Sequence, residues 1–394
     1  MKNILLNGPL LSNSGYGVHS RQVFSYLKTI PDVKIYCNIL EWGSLPWHLS
    51  DEYTSGSFSQ IIDSYIPESM INNLKFDECY TVSYPHEWLY YGDKNIGITA
   101  GVETDIVPFH WMKFLNKADV VICTSEFTAN AFYKTAENKN FKLNKSINVV
   151  HQYYHEEFDK SDIVNIDCLD KINTKNNLLL IGQLTSINNN LDRKNTFNSI
   201  ESLIRILSTI KDSGLVIKTS LGSNSYLDFV KIKKLFAKYK ESLKEELGEN
   251  IPKIYLLHGN MSPLELKTLY SSDKISGLVS LTRGEGFGLT LLEAASCGLP
   301  IIATNYSAYK EFLNESFLKI DYRLENVPKE KIDNKIFAKN SLWCEYENKS
   351  LHVNVLNFFN NIDLYNNISI DLQEFIKNNF NKESILNKYK LCLN

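Results

Sequence analysis

The chain has 394 residues, 43% of them hydrophobic and 22% charged; these are globular values, and the length favours two domains that each bury a core. With 42 Lys and Arg against 45 Asp and Glu, the net charge is −3, which excludes a global attraction to nucleic acid or anionic lipid, though not a local basic patch. No apolar run reaches the roughly eighteen residues needed to span a bilayer.

Met1 to Gly8 carries one lysine and a short apolar run closed by Asn7-Gly8. It reads as a first strand and turn, without the apolar stretch and cleavage site of a secretory signal. Cys37, Cys79, Cys123, Cys168, Cys297, Cys344 and Cys392 are odd in number and scattered, which fits reduced thiols and neither a disulfide framework nor a zinc site. A cytoplasmic protein is expected, with peripheral contact at the inner membrane face left open.

Apolar runs at 3–6, 33–40, 81–84, 95–99, 120–124 and 147–150 read as strands separated by helical patterns. The segment 151–177 is polar, and the alternation restarts with strands at 178–181, 215–219, 254–258, 277–280 and 301–304, between helical stretches such as 195–211 and 263–271. The fold expected is α/β, with two Rossmann-like domains facing a cleft and ligands at the carboxyl ends of parallel strands. Residues 1–172 form the first domain in this reading and 173–365 the second. Residues 366–394 are closing helices, with a break near Asn381, that pack back toward the first domain.

The densest motif runs from Ser280 to Thr304. A strand leads into it, Gly284, Gly286 and Gly288 let the backbone turn and approach a ligand, and a helix starting near Leu289 presents amides and a positive dipole end to an anion such as a diphosphate. Glu285 lies in the loop and Glu293 about one turn into the helix, so they have separate tasks. Carboxylates only accept hydrogen bonds, which suits sugar hydroxyls and a ribose diol; the bland reading is a turn cap and a helix-dipole partner.

The run Glu285-Gly286-Phe287-Gly288 to Glu293, followed by Ala294-Ala295-Ser296-Cys297-Gly298-Leu299-Pro300, resembles the E-x7-E signature of family 4 retaining glycosyltransferases of the GT-B fold. The resemblance implies that Glu285, Gly286 and Phe287 meet the transferred sugar, that Glu293 holds the ribose, and that Gly288, Leu289 and Thr290 donate to the diphosphate. It places Gly259, Asn260 and Met261 near the base. The family has a Gly-Arg after the first strand of this domain; here Gly182 is followed by Gln183. Lys194 resembles the family lysine, and Arg193 is the candidate for the missing charge, the alternative being a solvated Arg-Lys pair.

In the first half, Gly15 and Gly17 occupy the place of the family's glycine-rich loop, to close over phosphates or shape the acceptor pocket, or else to form a simple strand-to-helix turn. His19 is either a ligand contact or a helix-surface histidine. Glu103 is the candidate catalytic contact of this half, in place of the histidine of many relatives, and a buried capping acid is the alternative. His86 and His110 are similarly open, and the aromatic group 84–91 with Trp88 is read as core.

The activity implied is transfer of a hexose-type sugar from a UDP-, GDP- or ADP-linked donor to a hydroxyl acceptor with retention of configuration, in glycan or glycoconjugate biosynthesis. No cofactor and no essential metal are expected, since the sequence has no Asp-x-Asp motif and no metal spacing. Candidate acceptors are a glycan, a lipid-linked sugar or a protein, with nucleic acid a minority option. The rival reading is a catalytically silent nucleotide-sugar-binding or scaffold protein of the same fold.

Overall fold

The structure, a computed structural model, describes residues 1–43, 47–54, 56–184, 191–221 and 224–393. The chain divides into two compact units, one of Met1–Tyr153 with Lys331–Leu342 and Phe380–Asn394, the other of Tyr154–Glu330 with Trp343–Asn379. Among the described residues no helix is long and apolar enough to cross a membrane.

The first unit holds six strands: β1 (Lys2–Gly8), β2 (Val33–Ile39), β3 (Phe76–Val82), β4 (Gly92–Thr99), β5 (Val120–Cys123) and β6 (Asn148–Val149). All pair in parallel, in the order β2-β1-β3-β4-β5-β6. Ile4, Leu5 and Leu6 are fully buried, the continuous apolar run of a strand covered on both faces. β3 starts earlier than its apolar run suggests because two acids interrupt the pattern. Glu78 is nonetheless buried, bonded by Lys2 at 2.7 Å and by the Tyr80 hydroxyl at 2.9 Å, while Asp77 accepts the Asn3 amide at 2.7 Å.

After β1 the chain turns into the helix Gly15–Leu27, whose Ser14 cap accepts the Gly17 amide at 3.0 Å. A Cβ at Gly17 would stand 2.1 Å from the Ser12 carbonyl oxygen, whereas one at Gly15 meets nothing within 4 Å. Gly17→Ala is therefore expected to lower stability by about 2–3 kcal/mol through forced overpacking, read from denaturant midpoints, while Gly15→Ala changes little. Equal effects of the two would show that the turn relaxes freely.

His19, expected as a ligand contact or a helix-surface histidine, is not at the surface. It is fully buried, with Nε2 2.8 Å from the Tyr389 hydroxyl, and burial lowers its imidazole to about 3. Tyr389 lies on the helix Lys382–Leu393. The helical stretch ending the chain is thus shared: Ile362–Asn379 lies in the second unit and Lys382–Leu393 in the first.

The second unit contains β7 (Asn176–Gln183), β8 (Ser213–Ser220), β9 (Lys253–His258), β10 (Gly277–Ser280), β11 (Ile301–Thr304) and β12 (Leu318–Ile320), in the parallel order β12-β11-β10-β7-β8-β9. A separate two-stranded sheet pairs β13 (Tyr322–Asn326) with β14 (Leu342–Tyr346). Helix Thr196–Leu207 buries Ile200, Leu203, Ile204 and Leu207 on one stripe against Leu178, Leu180, Leu215 and Ile217, the spacing of an amphipathic helix on a sheet. The strand order reverses beside β7, whose neighbours are β8 and β10, and a ligand crevice opens at the carboxyl ends of strands at such a switch point.

The units change at Tyr153/Tyr154, not near residue 172. The polar segment that follows is tied to the second unit: Lys267 donates to the Asp162 carbonyl at 2.9 Å, and Thr268 Oγ1 accepts the Val164 amide at 3.1 Å. Conversely, Lys331–Leu342 joins the first unit, where Asp105 and Leu342 exchange bonds of 3.1 and 2.6 Å.

Candidate active site

The switch point of the second unit brings together the loop after β10 and the turn 192–195 before helix Thr196–Leu207. Asp192, almost fully buried, shapes that turn by accepting the Lys194 amide at 3.0 Å and the Thr196 amide at 2.8 Å. Asn195 has φ +54°, a left-handed conformation that asparagine tolerates. Lys194 Nζ then lies 2.6 Å from Glu285 Oε1, and Arg193 Nη1 lies 3.5 Å from the same oxygen while donating to the Gly284 carbonyl at 2.8 Å.

Burial alone would raise the Glu285 carboxyl. The Lys194 ammonium and then the Arg193 guanidinium outweigh it and hold the group below the ordinary glutamate range. Three of the four expected catalytic groups, Arg193, Lys194 and Glu285, therefore form one partly buried cluster in which two cations face one anion.

Gly288 caps the helix Leu289–Ser296 with φ +98°, and a Cβ there would meet that of Tyr309 at 3.0 Å. Both facts call for glycine. The Leu291 and Leu292 amides bond the Gly288 carbonyl, so the Leu289 and Thr290 amides precede the first intrahelical bonds, where a helix offers donors to an anion. Gly286 is buried, and Phe287 packs its ring 5.2 Å from that of Phe312, so only backbone at Phe287 is left for a ligand. Glu293 stands inside the helix, partly exposed; burial of the carboxyl raises it to about 8 against a lowering hydrogen bond from Tyr270.

Arg283, inside the motif but given no task by the sequence, is the pin of the loop. Its guanidinium pairs with Glu345, donates to the Asp192 carbonyl at 2.5 Å and lies 4.8 Å from the Trp343 ring centroid. Its backbone accepts from Cys344 at 2.9 Å and donates to Arg193 at 3.0 Å. Glu345 and Trp343 lie on β14, about sixty residues along the chain with no motif around them; the only local signal was an arginine at the end of an apolar strand.

Gly259, Asn260 and Met261 follow β9. Gly259 has φ +110°, its amide bonds the Thr219 carbonyl at 3.2 Å, and its own carbonyl accepts Lys218 Nζ at 2.5 Å. Burial lowers the Lys218 ammonium to about 8. Asn260 is exposed and accepts from Asn224 at 2.8 Å.

Gly15, Gly17 and Glu103 belong to the first unit. Tyr16, between the two glycines, joins its hydroxyl to Thr99 Oγ1 at 2.9 Å and accepts the Ala100 amide at 3.1 Å. Glu103 is partly buried and near enough to act electrostatically on the Tyr16 phenol. Trp88 is core: it packs where a Cβ on Gly97 would meet its ring at 2.3 Å. Tyr84 and Trp42, both half-buried, instead pack with the buried ring of Tyr16, the ring centroids 4.4 to 5.3 Å apart. His86 lies 5.6 Å from Trp111 and 5.4 Å from His110. Among the described residues there is no group of three His, Cys, Asp or Glu suited to a metal ion.

The family model for glycosyl transferases group 1 matches residues 184–321, the stretch that holds Arg193, Lys194, Glu285 and Glu293. No curated protein matches the chain by sequence. Among solved structures the chain is similar to sucrose-phosphate synthase from Thermosynechococcus elongatus, at 13% identity and a TM-score of 0.62 over 99% of this chain and 98% of that one. A glycosyltransferase from Rickettsia africae is 19% identical, with a TM-score of 0.61 over 100% and 98% of the two chains. An E. coli structure described as trehalose-6-phosphate bound with UDP-2-fluoro glucose is 10% identical, with a TM-score of 0.62 over 100% and 99%. At these identities the likeness is one of fold: two parallel-sheet units in the GT-B architecture.

Proposed function

We propose that the protein is a glycosyltransferase that moves a hexose-type sugar from a nucleotide-diphosphate sugar to a hydroxyl acceptor, with retention at the anomeric carbon and no required divalent cation. The observation that carries this reading is the cluster of Lys194, Arg193 and Glu285 at the switch point, just ahead of the helix Leu289–Ser296. An arriving diphosphate competes for the two cations and for the Leu289 and Thr290 amides, which are charge-assisted partners of a phosphate. Glu285, relieved of its cations, accepts hydroxyls of the sugar. Glu293 takes the ribose diol and the 259–261 turn takes the base. As charge develops on the departing diphosphate, the same cations stabilise it without solvent reorganisation.

In the first unit, Glu103 is proposed to contact the reacting sugar or orient the acceptor hydroxyl, and the Gly15 to Gly17 turn to shape the acceptor side. The half-buried rings of Trp42 and Tyr84 suit stacking on a sugar face. A glycan, lipid-linked sugar or protein acceptor in glycan or glycoconjugate biosynthesis fits this arrangement.

The test is a thermal-shift series with UDP, GDP and ADP and their sugars at millimolar concentration, on wild type and Glu293→Ala, with and without EDTA. One nucleotide is expected to raise the Tm, because a ligand of the native state stabilises it; the shift is lost in the variant and indifferent to EDTA. No shift with any nucleotide, together with no donor hydrolysis above background, would leave the silent-scaffold reading in possession. A shift that needs metal would overturn the metal-independent part alone.

A further inference from the structure

The second unit has a cavity of about 530 Å³ that none of the donor-site roles above uses, within the size range of small-molecule sites, roughly 300–1,000 Å³. Its wall includes Glu201, Ser202 and Arg205 of helix Thr196–Leu207, Arg323 of β13, and Glu345 and Tyr346 of β14. Each formal charge is answered within the unit. Arg205 is paired with Glu201 at 2.9 Å and with Glu246, Arg323 with Glu325 at 2.6 Å, and Glu345 with Arg283. The cavity therefore makes no net demand for an ionic ligand.

It does offer hydrogen bonding of both senses. Guanidinium groups only donate, carboxylates only accept, and hydroxyls do both. Ser202 Oγ lies 2.9 Å from the Tyr346 hydroxyl and 3.0 Å from Asn348 Oδ1, which fixes these polar groups on the wall. Alternating donors and acceptors on a charge-balanced surface complement vicinal diols, in which every hydroxyl both gives and receives.

We propose that this cavity binds a neutral oligosaccharide, holding a glycan chain on the second unit outside the transfer site. That the glycan is the enzyme's own acceptor or product rests on the function proposed above; the saccharide binding itself does not. Glu345 forms part of the wall and also holds Arg283, so a ligand in the cavity lies one carboxylate away from the donor loop. For the same reason Glu345 is not the residue to vary.

The test is a glycan array of neutral, sulfated and sialylated oligosaccharides, probed with the full chain, with Ser202→Trp to fill the cavity, and with Arg205→Ala as a second variant of different structural risk. Nucleotide thermal shifts run beside it. Wild type is expected to retain neutral oligosaccharides, with signal unchanged in 0.5 M salt, falling at least tenfold in either variant while the nucleotide shift persists. No retention, retention that survives both variants, or a preference for sulfated and sialylated glycans abolished by salt would each overturn the proposal. Saccharide retention with neither a nucleotide shift nor donor hydrolysis above background would sink the transferase reading and leave the cavity's assignment standing.

Discussion

Lys194→Met is expected to lower transfer turnover by about 10²–10³-fold, the usual cost of deleting one preorganised stabiliser of developing charge. Its ammonium sits 2.6 Å from Glu285, closer than the Arg193 guanidinium at 3.5 Å. The variant also carries a signature that a merely structural lysine would not leave. Lys194 is the largest influence lowering the Glu285 carboxyl against its burial, so removing it shifts that carboxyl upward and moves the acid limb of the pH–rate profile to higher pH.

Stability responds less, because Lys194 keeps about a third of its side chain exposed; roughly 1–2 kcal/mol is expected once solvent screening is allowed for. The double variant Lys194→Met/Glu285→Gln separates the two roles. Neutralising the carboxyl relieves the charge that Arg193 alone then has to balance and restores most of the stability, while transfer stays lost. Steady-state rates and Tm values of the three proteins read this directly. Full turnover in Lys194→Met would assign the cluster to folding alone.

What the sequence disclosed follows from how local each signal is. Continuous apolar runs such as Ile4 to Leu6 and Leu178 to Leu180 mark parallel strands because both faces are covered, and those residues are buried. The glycine loop before the helix Leu289–Ser296 was legible since glycine conformation and helix start are set within a few residues: Gly288 does have positive φ and the helix begins at Leu289. Long-range pairings were not. Arg283 reads as one more charge in a motif until β14 supplies Glu345 and Trp343 to it. His19 looks like a helix-surface residue until the helix Lys382–Leu393 covers it with Tyr389. β3 hid behind two acids whose partners, Lys2 and Asn3, lie more than seventy residues away. The same holds for the unit boundaries, where Lys331–Leu342 and Phe380–Asn394 return to the first unit through contacts that no composition shift announces.

Nucleotide binding is expected to release a proton near neutral pH, and Glu293 is the source. Its carboxyl is raised to about 8 by burial, so in the free protein it is mostly protonated at pH 7. A ribose diol donates hydrogen bonds and favours the carboxylate, which lowers the group's pKa in the complex. The bound state then holds fewer protons than the free state, and linkage requires affinity to rise with pH, by up to about tenfold per unit through the window below 8, and to flatten above it.

The free protein is expected to show the converse slope in its stability. A carboxyl whose folded pKa exceeds its unfolded value of about 4.3 contributes stability that is fully present below that value and is lost as pH rises through 8. Glu293→Gln is therefore expected to flatten the fall of Tm between pH 5 and 8 and to remove the pH dependence of nucleotide affinity. Calorimetry in two buffers of different ionisation enthalpy counts the proton released. Binding as tight at pH 6 as at pH 8, with no proton released, would mean that Glu293 meets the nucleotide as a neutral acid or not at all, and the ribose contact would have to be sought on another residue.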